Sequence, residues 1–234
     1  AMDKVLAKLI AEAHGIQTPK MKFISTKELE RDSEKFLTAV NDSLRYPLFV
    51  KPAHLGSSIG ITKVDEPKDL INALEIAAHY DTKVLVEEGV HNLIEVTVPI
   101  IGNDVLTTAL VEQPLSKEDG VFDFDTKYMN QGKGGKKMGG GKQGAQGYSQ
   151  LPADLPEDLY ETARQTALSA YRAIGCEGIA RVDLLIDQKT STVYFNEINP
   201  LPGSLYAHNW RAAGISNVEL VNRLVRLAEE RCAA

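Results

Sequence analysis

The sequence predicts an α+β fold divided into two lobes. Strand-like runs of apolar and β-branched residues are interleaved with segments of helical periodicity, a mixture typical of layered α+β proteins. Around residues 102–104 and again around residues 188–191, short polar turns join two strands, which indicates antiparallel pairing. A break falls near Glu88-Gly89, so we expect a first lobe of residues 1–88 and a larger second lobe of residues 89–234.

The first lobe is expected to open with a helix over residues 3–14. Apolar residues recur there at helical spacing, and Gly15 ends the pattern. The later elements of this lobe follow in chain order: a strand at 22–24, a polar helix at 26–43, a strand at 46–51, a loop with two glycines and two serines at 54–60, a helix at 66–79 and a strand at 84–88.

The second lobe is expected to begin with a strand over residues 94–100. Apolar residues alternate there with Glu95 and Thr97, which is the period of a half-buried strand. The remaining elements are a turn at 102–104, a strand at 105–111, an irregular stretch at 112–152 that is rich in glycine and lysine, a helix at 155–174, a hairpin at 180–199 and a final helix at 217–228.

The composition narrows the classes of function. At 43% hydrophobic and 25% charged residues, the chain is an ordinary globular sequence, and its net charge of −6 argues against a general nucleic-acid binder. No apolar run approaches the roughly 18 residues of a membrane span, and the first residues lack the features of a secretory signal. Cys176 and Cys232 form neither a disulfide framework nor a zinc-ligand spacing, so we expect a cytoplasmic protein without a membrane partner.

The hairpin at 180–199 carries the strongest chemical signal. If its turn is centred on Thr190, Asp183 lies opposite Glu197 and Arg181 lies opposite Asn199, with all four side chains on one face. Opposed Cβ atoms are about 5 Å apart, so the two carboxylates repel each other unless a cation lies between them. Two carboxylates and an amide suit Mg²⁺, and the arginine beside them indicates an anionic ligand. Val193 and Phe195 are expected on the same face, which should bury it in part rather than leave a solvated hairpin.

A lysine and a glycine-serine loop form a second, weaker signal. Lys51 ends an apolar strand, and the loop at 56–60 follows it, where glycines allow backbone N–H groups to approach phosphate oxygens. Such loops commonly bind nothing, but together with the hairpin this one is consistent with a triphosphate cover. The loop lacks the Walker A spacing. Glu87 and Glu88 alone are best explained as a solvated strand end, and a solvated face explains Glu95 equally well.

The order of the motifs resembles that of D-alanine–D-alanine ligases, specifically their ATP-grasp part, from residue 2 to the final helix. Six anchors carry the resemblance: Met-Asp-Lys at 2–4, Phe-Val-Lys-Pro at 49–52, Leu-Gly-Ser-Ser-Ile-Gly at 55–60, Asp-Thr-Lys-Tyr at 125–128, Ala-Arg-Val-Asp at 180–183 and Asn-Glu-Ile-Asn-Pro-Leu-Pro-Gly at 196–203. The resemblance implies an ATP-grasp fold, in which two α+β lobes clasp ATP between antiparallel sheets.

The resemblance also implies an activity. Such ligases use ATP to phosphorylate one amino-acid carboxylate, and the amine of a second amino acid attacks the acyl phosphate, a step of peptidoglycan precursor synthesis. The implied cofactors are ATP and Mg²⁺, with Mn²⁺ as an alternative, and the implied partners are small amino acids. Two other functions remain open: a ligase that joins different amino acids, and an isolated Mg-ATP-binding domain without catalysis.

The resemblance assigns roles to individual residues. The matched positions are Lys4, Lys51 and Ser58 at the phosphates; Glu87, Val90 and Glu95 at the adenine and ribose; Asp183, Glu197 and Asn199 at the metal; Arg181 and the N–H of Gly203 at the oxyanion; Ser57 and Tyr128 near the first substrate; and Lys127 at the carboxylate of the second substrate.

Three departures from the family pattern bear on the substrate. The family's N-terminal domain supplies a glutamate for the first substrate, and this sequence starts where the ATP-grasp part starts, so we expect that glutamate to be absent or to come from another domain or a homodimer partner. The loop at 130–150 is longer and richer in glycine than is usual. His208 occupies the position of a serine that binds the second substrate's carboxylate, which favours different amino acids over a different reaction.

Overall fold

The computed structural model describes residues 2–114 and 149–233, and these form two antiparallel sheets with helices packed on them. The elements in chain order are α1 Lys4–Ala13, β1 Met21–Ser25, α2 Thr26–Arg31, α3 Ser33–Ser43, β2 Leu48–Pro52, β3 Thr62–Val64, a 3-10 turn Pro67–Asp69, α4 Leu70–Tyr80, β4 Lys83–Glu88, β5 Leu93–Gly102, β6 Thr107–Thr108, β7 Gln113–Pro114, β8 Ser149–Gln150, α5 Glu157–Ala173, β9 Gly178–Asp187, β10 Thr192–Asn199, a turn Gly203–Tyr206, α6 Ala207–Ala212 and α7 Asn217–Ala233.

The first sheet has the strand order β1-β4-β2-β3, and all of its pairs are antiparallel. Alternate side chains of β2 and β4 point to one face, where Val50, Val84 and Val86 pack with Leu70 and Leu74 of α4 in one buried cluster. The opposite face of the same strands carries Lys51 and Glu87, which are also buried. Burying charges on that face requires charged partners there.

The second sheet has the strand order β10-β9-β5-β6 and packs on α5. Val182, Leu184 and Ile186 of β9 point toward α5, so Arg181, Asp183 and Leu185 point to the other face. The first sheet's last strand in the chain ends at Glu88, and the second sheet's first strand begins at Leu93. Helix α1 nevertheless contributes Ala7 to the core of the second sheet, so the boundary at residue 88 stays a prediction.

The hairpin pairs the candidate site residues in the predicted register, but a bulge in β10 is needed to reach that register. Glu197 pairs with Asp183 and Asn199 pairs with Arg181, whereas the register shifts by one residue between Phe195 and Glu197. The extra residue, Asn196, turns Phe195 onto the α5 face, where it is fully buried. The prediction that Val193 and Phe195 share the carboxylate face is therefore wrong, since both belong to the core on the opposite side.

Two other predictions about elements need correction, and several elements were missed. The single helix predicted at 26–43 is two helices, because the Asp32 side chain accepts the Lys35 N–H and caps α3 there. The strand predicted at 105–111 shrinks to β6, since Asn209 bonds both the N–H and the C=O of Leu110 in place of a neighbouring strand. The elements β3, β7, β8, Gly203–Tyr206 and α6 were not predicted, and β7 and β8 lie within the stretch predicted to be irregular. The long loop predicted at 130–150 lies almost wholly outside the described residues.

Within residues 2–114 and 149–233, no helix combines the length and the apolar character that crossing a membrane requires.

Candidate active site

The faces of the two sheets that point away from α4 and α5 line a cavity of about 360 Å³, which brings most of the predicted site residues together. The predicted residues in its wall are Lys4, Lys51, Ser57, Ser58, Glu87, Val90, Glu95, Arg181, Asp183, Glu197 and His208. Asn199 reaches the same cluster through Asp183, while Gly203 lies outside the wall, at the start of the turn after β10. Lys127 and Tyr128 fall outside the described residues.

A larger cavity of about 490 Å³ lies beside the segment at 88–91. Its wall contains Asp187 and Tyr194 from the turn end of the hairpin, and neither Asp183 nor Glu197. The paired carboxylates and the cations meet only in the smaller of these two cavities, so the candidate site is placed there.

Asp183 is the centre of the hydrogen-bond network on the hairpin. Arg181 donates to both of its oxygens, at 2.8 and 2.7 Å, and Asn199 Nδ2 donates to Oδ2 at 2.9 Å. Thr97 on the adjacent strand β5 adds a hydroxyl donor at 2.7 Å. Burial lowers the pKa of Arg181, but Asp183 more than offsets this and raises it, so the guanidinium stays charged beside the cavity.

Glu197 faces cations that come from the first lobe. Lys4, at the start of α1, places Nζ 3.3 Å from Glu197 Oε2, and the same ammonium donates to the carbonyl of Leu55. Burial alone would raise the pKa of Glu197, but Lys4 and then Lys51 lower it below its ordinary value. Asp183 and Glu197 thus remain a pair of opposed carboxylates that the surrounding cations stabilise.

Glu87 is bound by two lysines rather than by solvent. Lys51 on β2 donates to Oε1, and Lys8 Nζ lies 3.0 Å from Oε2. Burial would raise the pKa of Glu87, but Lys51 and Lys8 lower it to about 2. The interpretation of Glu87 as a solvated strand end is therefore wrong, since only 1% of the residue is exposed. Glu88 is half-buried and accepts the backbone N–H of Arg45 at 3.0 Å.

The glycine-serine loop approaches the cavity in a strained conformation. Ser57 and Ser58 both have positive φ, 57° and 59°, which residues with a side chain rarely adopt. Gly60 also has positive φ, and an added Cβ would lie 2.8 Å from both Pro52 and Tyr80. The loop is therefore held close against the end of β2, where Lys51 lies, and presents its serines to the cavity.

A second polar cluster in the wall joins the predicted residue His208 to three residues that the sequence did not single out, Glu112, Asn209 and Tyr206. His208 Nε2 lies 2.9 and 3.0 Å from the oxygens of Glu112, and Asn209 Nδ2 donates to the same carboxylate at 2.9 Å. The Tyr206 ring lies 4.6 Å from the His208 ring, and the Arg181 guanidinium lies 5.5 Å from the Tyr206 ring centre. This cluster therefore adjoins the hairpin residues.

One of the missed residues had a detectable signal in the sequence. Lys8 stands four residues after Lys4, so both lie on the same side of α1, and that side also carries the buried Val5, Ala7 and Ala11. A lysine on a buried helical face requires a buried anion. Glu112, Asn209 and Thr97 gave no such signal, because their partners are 86 to 99 residues away in the chain.

The hairpin has the oxygen ligands that a magnesium ion requires. Asp183, Glu197 and Asn199 offer hard oxygen ligands, and a half-turn of the Asn199 amide would place its oxygen where Nδ2 now faces the carboxylates. Among the described residues, no three His, Cys, Asp or Glu side chains converge as a metal site. That is consistent with Mg²⁺ at nucleotides, which takes one or two carboxylates and completes its shell with phosphates and water.

Comparisons with known proteins agree with this geometry. The family model described as D-ala D-ala ligase C-terminus matches residues 10–226. A D-alanine--D-alanine ligase of Chlorobium phaeovibrioides is 40% identical over 98% of this chain and 60% of its own length, and one of Acetivibrio thermocellus is 36% identical over 98% and 58%. The chain thus spans about 60% of the length of these relatives.

Solved structures show the same fold. The VanG D-Ala:D-Ser ligase of Enterococcus faecalis superposes with a TM-score of 0.78 at 29% identity, covering 97% of this chain and 61% of its own. The D-alanine-D-alanine ligase of Coxiella burnetii superposes with a TM-score of 0.76 at 24% identity, covering 98% and 57%. The chain therefore has the ATP-grasp fold, and it belongs to the D-ala D-ala ligase C-terminus family.

Proposed function

We propose that the protein containing this chain is an ATP-dependent carboxylate–amine ligase that acts through an acyl phosphate. We propose further that it joins two D-alanines for peptidoglycan synthesis in the cytoplasm. The observation that carries the proposal is the meeting of Lys4, Lys51 and Arg181 with the carboxylates Asp183 and Glu197 in one cavity between the sheets. Acyl-phosphate chemistry concentrates negative charge, and preorganised cations in a partly dry cavity stabilise it.

The two lysines and the loop fit the phosphates of ATP. Lys4 and Lys51 line the cavity together with Ser57 and Ser58, so ammonium and hydroxyl donors surround one space. Lys51 is held by Glu87, and Lys8 also binds this carboxylate. Phosphates can therefore attract Lys51 without leaving Glu87 as an unpaired buried charge. Glu87, Val90 and Glu95 are proposed to bind the adenosine part.

The hairpin fits the metal and the acyl group. Asp183, Glu197 and Asn199 would hold Mg²⁺, which when bound neutralises phosphate charge during transfer. Arg181 lies beside them, and with the N–H of Gly203 we assign it to the oxygen of the acyl group, where negative charge develops when the amine attacks. Because Asp183 holds the guanidinium through two hydrogen bonds, the charge is already in place before that step.

A ligase that joins other amino acids is the second candidate. One observation favours it: His208 in the cavity wall is bound to Glu112, so an ionisable pair stands where the family resemblance places a serine. The related VanG protein, a D-Ala:D-Ser ligase, has the same fold. A binding domain without catalysis is disfavoured, because it needs neither Arg181 nor its bidentate contact with Asp183.

Amino-acid-dependent phosphate release by the full-length protein with Mg-ATP tests the proposal. We expect release with D-alanine, and the same assay with D-serine, L-alanine and other amino acids separates the two ligase candidates. Arg181→Lys should lower kcat by about 10²–10³, because a lysine cannot reproduce the bidentate geometry. Arg223→Lys is the matched control on exposed helix α7 and should match the wild type. Phosphate release that no amino acid stimulates, or full activity of Arg181→Lys, would refute the proposed reaction.

A further inference from the structure

A buried carboxylate–imidazole pair in the cavity wall is not used by the phosphate and metal chemistry. Glu112 stands just before β7, and His208 lies in the first turn of α6, on the side of the cavity that also contains Arg181. The Glu112 side chain is 4% exposed and the His208 side chain is 19% exposed. Both residues line the cavity, and the carboxylate is the more deeply buried of the two.

The carboxylate is fixed in position by the surrounding chain. Asn209 donates to Glu112 from Nδ2, and the same amide both accepts the N–H of Leu110 and donates to its carbonyl, each at 3.0 Å. Burial would raise the pKa of Glu112, but hydrogen bonds from His208, Ser149 and Asn209 lower it. Glu112 is therefore ionised at neutral pH and can only accept hydrogen bonds.

The ionised carboxylate determines which nitrogen of His208 carries the proton. Because both oxygens of Glu112 lie 2.9–3.0 Å from Nε2, Nε2 must be the donor. In the neutral imidazole the lone pair is then on Nδ1. Nδ1 has no hydrogen-bond partner among residues 2–114 and 149–233, so it is available to a ligand.

We propose that His208 Nδ1 accepts the proton of the incoming ammonium group, with Glu112 as the positioning residue for the imidazole. The proposal rests on the proposed ligase function. The second amino acid arrives with a charged ammonium group, which has no lone pair for attack. Transfer of one proton to Nδ1 yields the free amine and an imidazolium bound to Glu112. The amine then forms the C–N bond, the C–O bond to phosphate breaks, and the remaining surplus proton leaves with the phosphate.

Charged groups lie near His208 both at Glu112 and beyond the neighbouring Tyr206 ring. Glu112 bonds the imidazole directly, whereas the Arg181 guanidinium lies 5.5 Å from the centre of the Tyr206 ring and is paired with Asp183. Burial raises the pKa of the Tyr206 phenol, and Glu112 raises it further, so Tyr206 is uncharged at neutral pH. No second histidine, cysteine or lysine is bonded to the imidazole within the described parts of the chain.

The test compares two acceptors in the full-length protein with Mg-ATP and D-alanine as the first substrate. The first acceptor is the second amino acid, which must lose a proton, and the other is hydroxylamine, which is uncharged at neutral pH. His208→Gln keeps a hydrogen-bond donor for Glu112 but cannot take up a proton. We expect it to lower kcat for the dipeptide by about 10²–10⁴ while KM changes little, and to leave hydroxamate formation unchanged.

Two further variants complete the design. Glu112→Gln should show a smaller loss of kcat with an altered pH profile, because the imidazole keeps its place but loses the stabilising charge. His14→Gln is the matched control, since His14 is exposed after α1 and its ring bonds the carbonyl of Ile10, at 2.9 Å, and it should behave as the wild type.

The outcomes separate the two claims. If the wild-type protein forms neither dipeptide nor hydroxamate with any amino acid, the proposed ligase function fails. If the wild type is active but His208→Gln has the same kcat and pH profile for the dipeptide, only the proton-acceptor role fails. A raised KM with unchanged kcat would instead assign His208 to substrate binding, and parallel loss of both products would assign it to structure, so either result overturns the inference.

Discussion

At Glu87, burial and the charges of two neighbouring lysines have opposite effects on the pKa of one carboxylate. A carboxylate that leaves water for a protein interior loses several kcal/mol of solvation, and only close cations can compensate for it. Lys51 and Lys8 approach it from separate elements, β2 and α1, and they lower its pKa despite complete burial. The attraction of two lysines therefore exceeds the desolvation of this one carboxylate. Lys8 shows the converse, since burial lowers its pKa more than Glu87 raises it.

Glu87→Gln should lower the free energy of unfolding by about 3–5 kcal/mol at neutral pH, because it leaves two lysines beside a neutral amide. The wild type should also show acid sensitivity. The pKa of Glu87 is about 2 in the folded state against 4.5 for the free group, so its contribution is complete above pH 4.5. It is lost as pH falls from 4.5 toward 2, about 3 kcal/mol in all. Denaturant unfolding between pH 7 and pH 3 measures both effects.

A matched carboxylate on the surface provides the control. Arg164 and Gln165 also hold the pKa of Glu161 at about 2, but this residue is exposed on α5. Glu161→Gln should change stability little, because solvent screens an exposed pair. If the two variants lose the same stability, or if Glu87→Gln keeps the acid-dependent loss of the wild type, then Glu87, Lys51 and Lys8 do not stabilise the fold as described.

At the scale of elements, one extra residue in the β9–β10 hairpin determines which side chains face the core and which face the cavity. The bulge at Asn196 lets Phe195 pack against α5 while Glu197 faces the cavity, although the two are separated by only one residue. Bulges also increase local twist and redirect side chains, and they recur beside active sites. Near its end the strand therefore directs Glu197 to the cavity while Phe195 and Ile198 remain in the core.

The sequence predicted part of this hairpin and could not predict the rest. Two runs of strand-forming residues around a polar turn place Asp183 opposite Glu197, and the structure confirms this pairing. The period of two cannot reveal a bulge, so it assigned Phe195 to the wrong face. Likewise, local propensity predicted both ends of helix α5 to within two residues. It could not show that Glu112 contacts His208, because these positions are 96 residues apart in the sequence and only tertiary packing brings them together.

Phe195→Ala tests which face of the hairpin is buried. Because Phe195 is fully buried in the core beneath the second sheet, its truncation should lower the free energy of unfolding by about 3–5 kcal/mol. Tyr194, the neighbouring residue, is half-buried and lines the larger cavity, so Tyr194→Ala should cost clearly less. Denaturant unfolding measures both variants. A larger loss for Tyr194→Ala would reverse the assignment of the two faces.

At the scale of the whole molecule, helix α1 joins the two sheets. Lys8 binds Glu87 of the first sheet and donates to the carbonyl of Phe195 in the second, at 3.3 Å. Lys4 likewise connects the carbonyl of Leu55, before the glycine-serine loop, with Glu197 on the hairpin. Helix α1 thus borders the cavity, and its two lysines bind groups of both lobes. A ligand that fills the cavity is therefore expected to contact both sheets.

A non-hydrolysable ATP analogue with Mg²⁺ should therefore protect two distant segments at once. Hydrogen–deuterium exchange should slow in residues 55–61 of the first lobe and in residues 196–203 of the second. At a ligand concentration of 100 times Kd, binding adds about 2.7 kcal/mol, enough to slow ligand-gated exchange by about 100-fold. The exposed helices α3 and α7 should not change, because neither contributes to the cavity.

The variant Glu197→Gln separates the contribution of the metal to nucleotide-induced protection from the contribution of the lysines. The variant keeps the length of the side chain but loses the charge that Mg²⁺ requires, so protection of residues 196–203 should fall to the level seen without metal. Protection of residues 55–61 should fall less, because Lys4 and Lys51 still attract the phosphates. Glu219→Gln on α7 removes a carboxylate outside the cavity and should reproduce the wild-type pattern. Protection confined to one lobe in the wild type, or unchanged by Glu197→Gln, would mean that the nucleotide does not bridge the sheets through the hairpin.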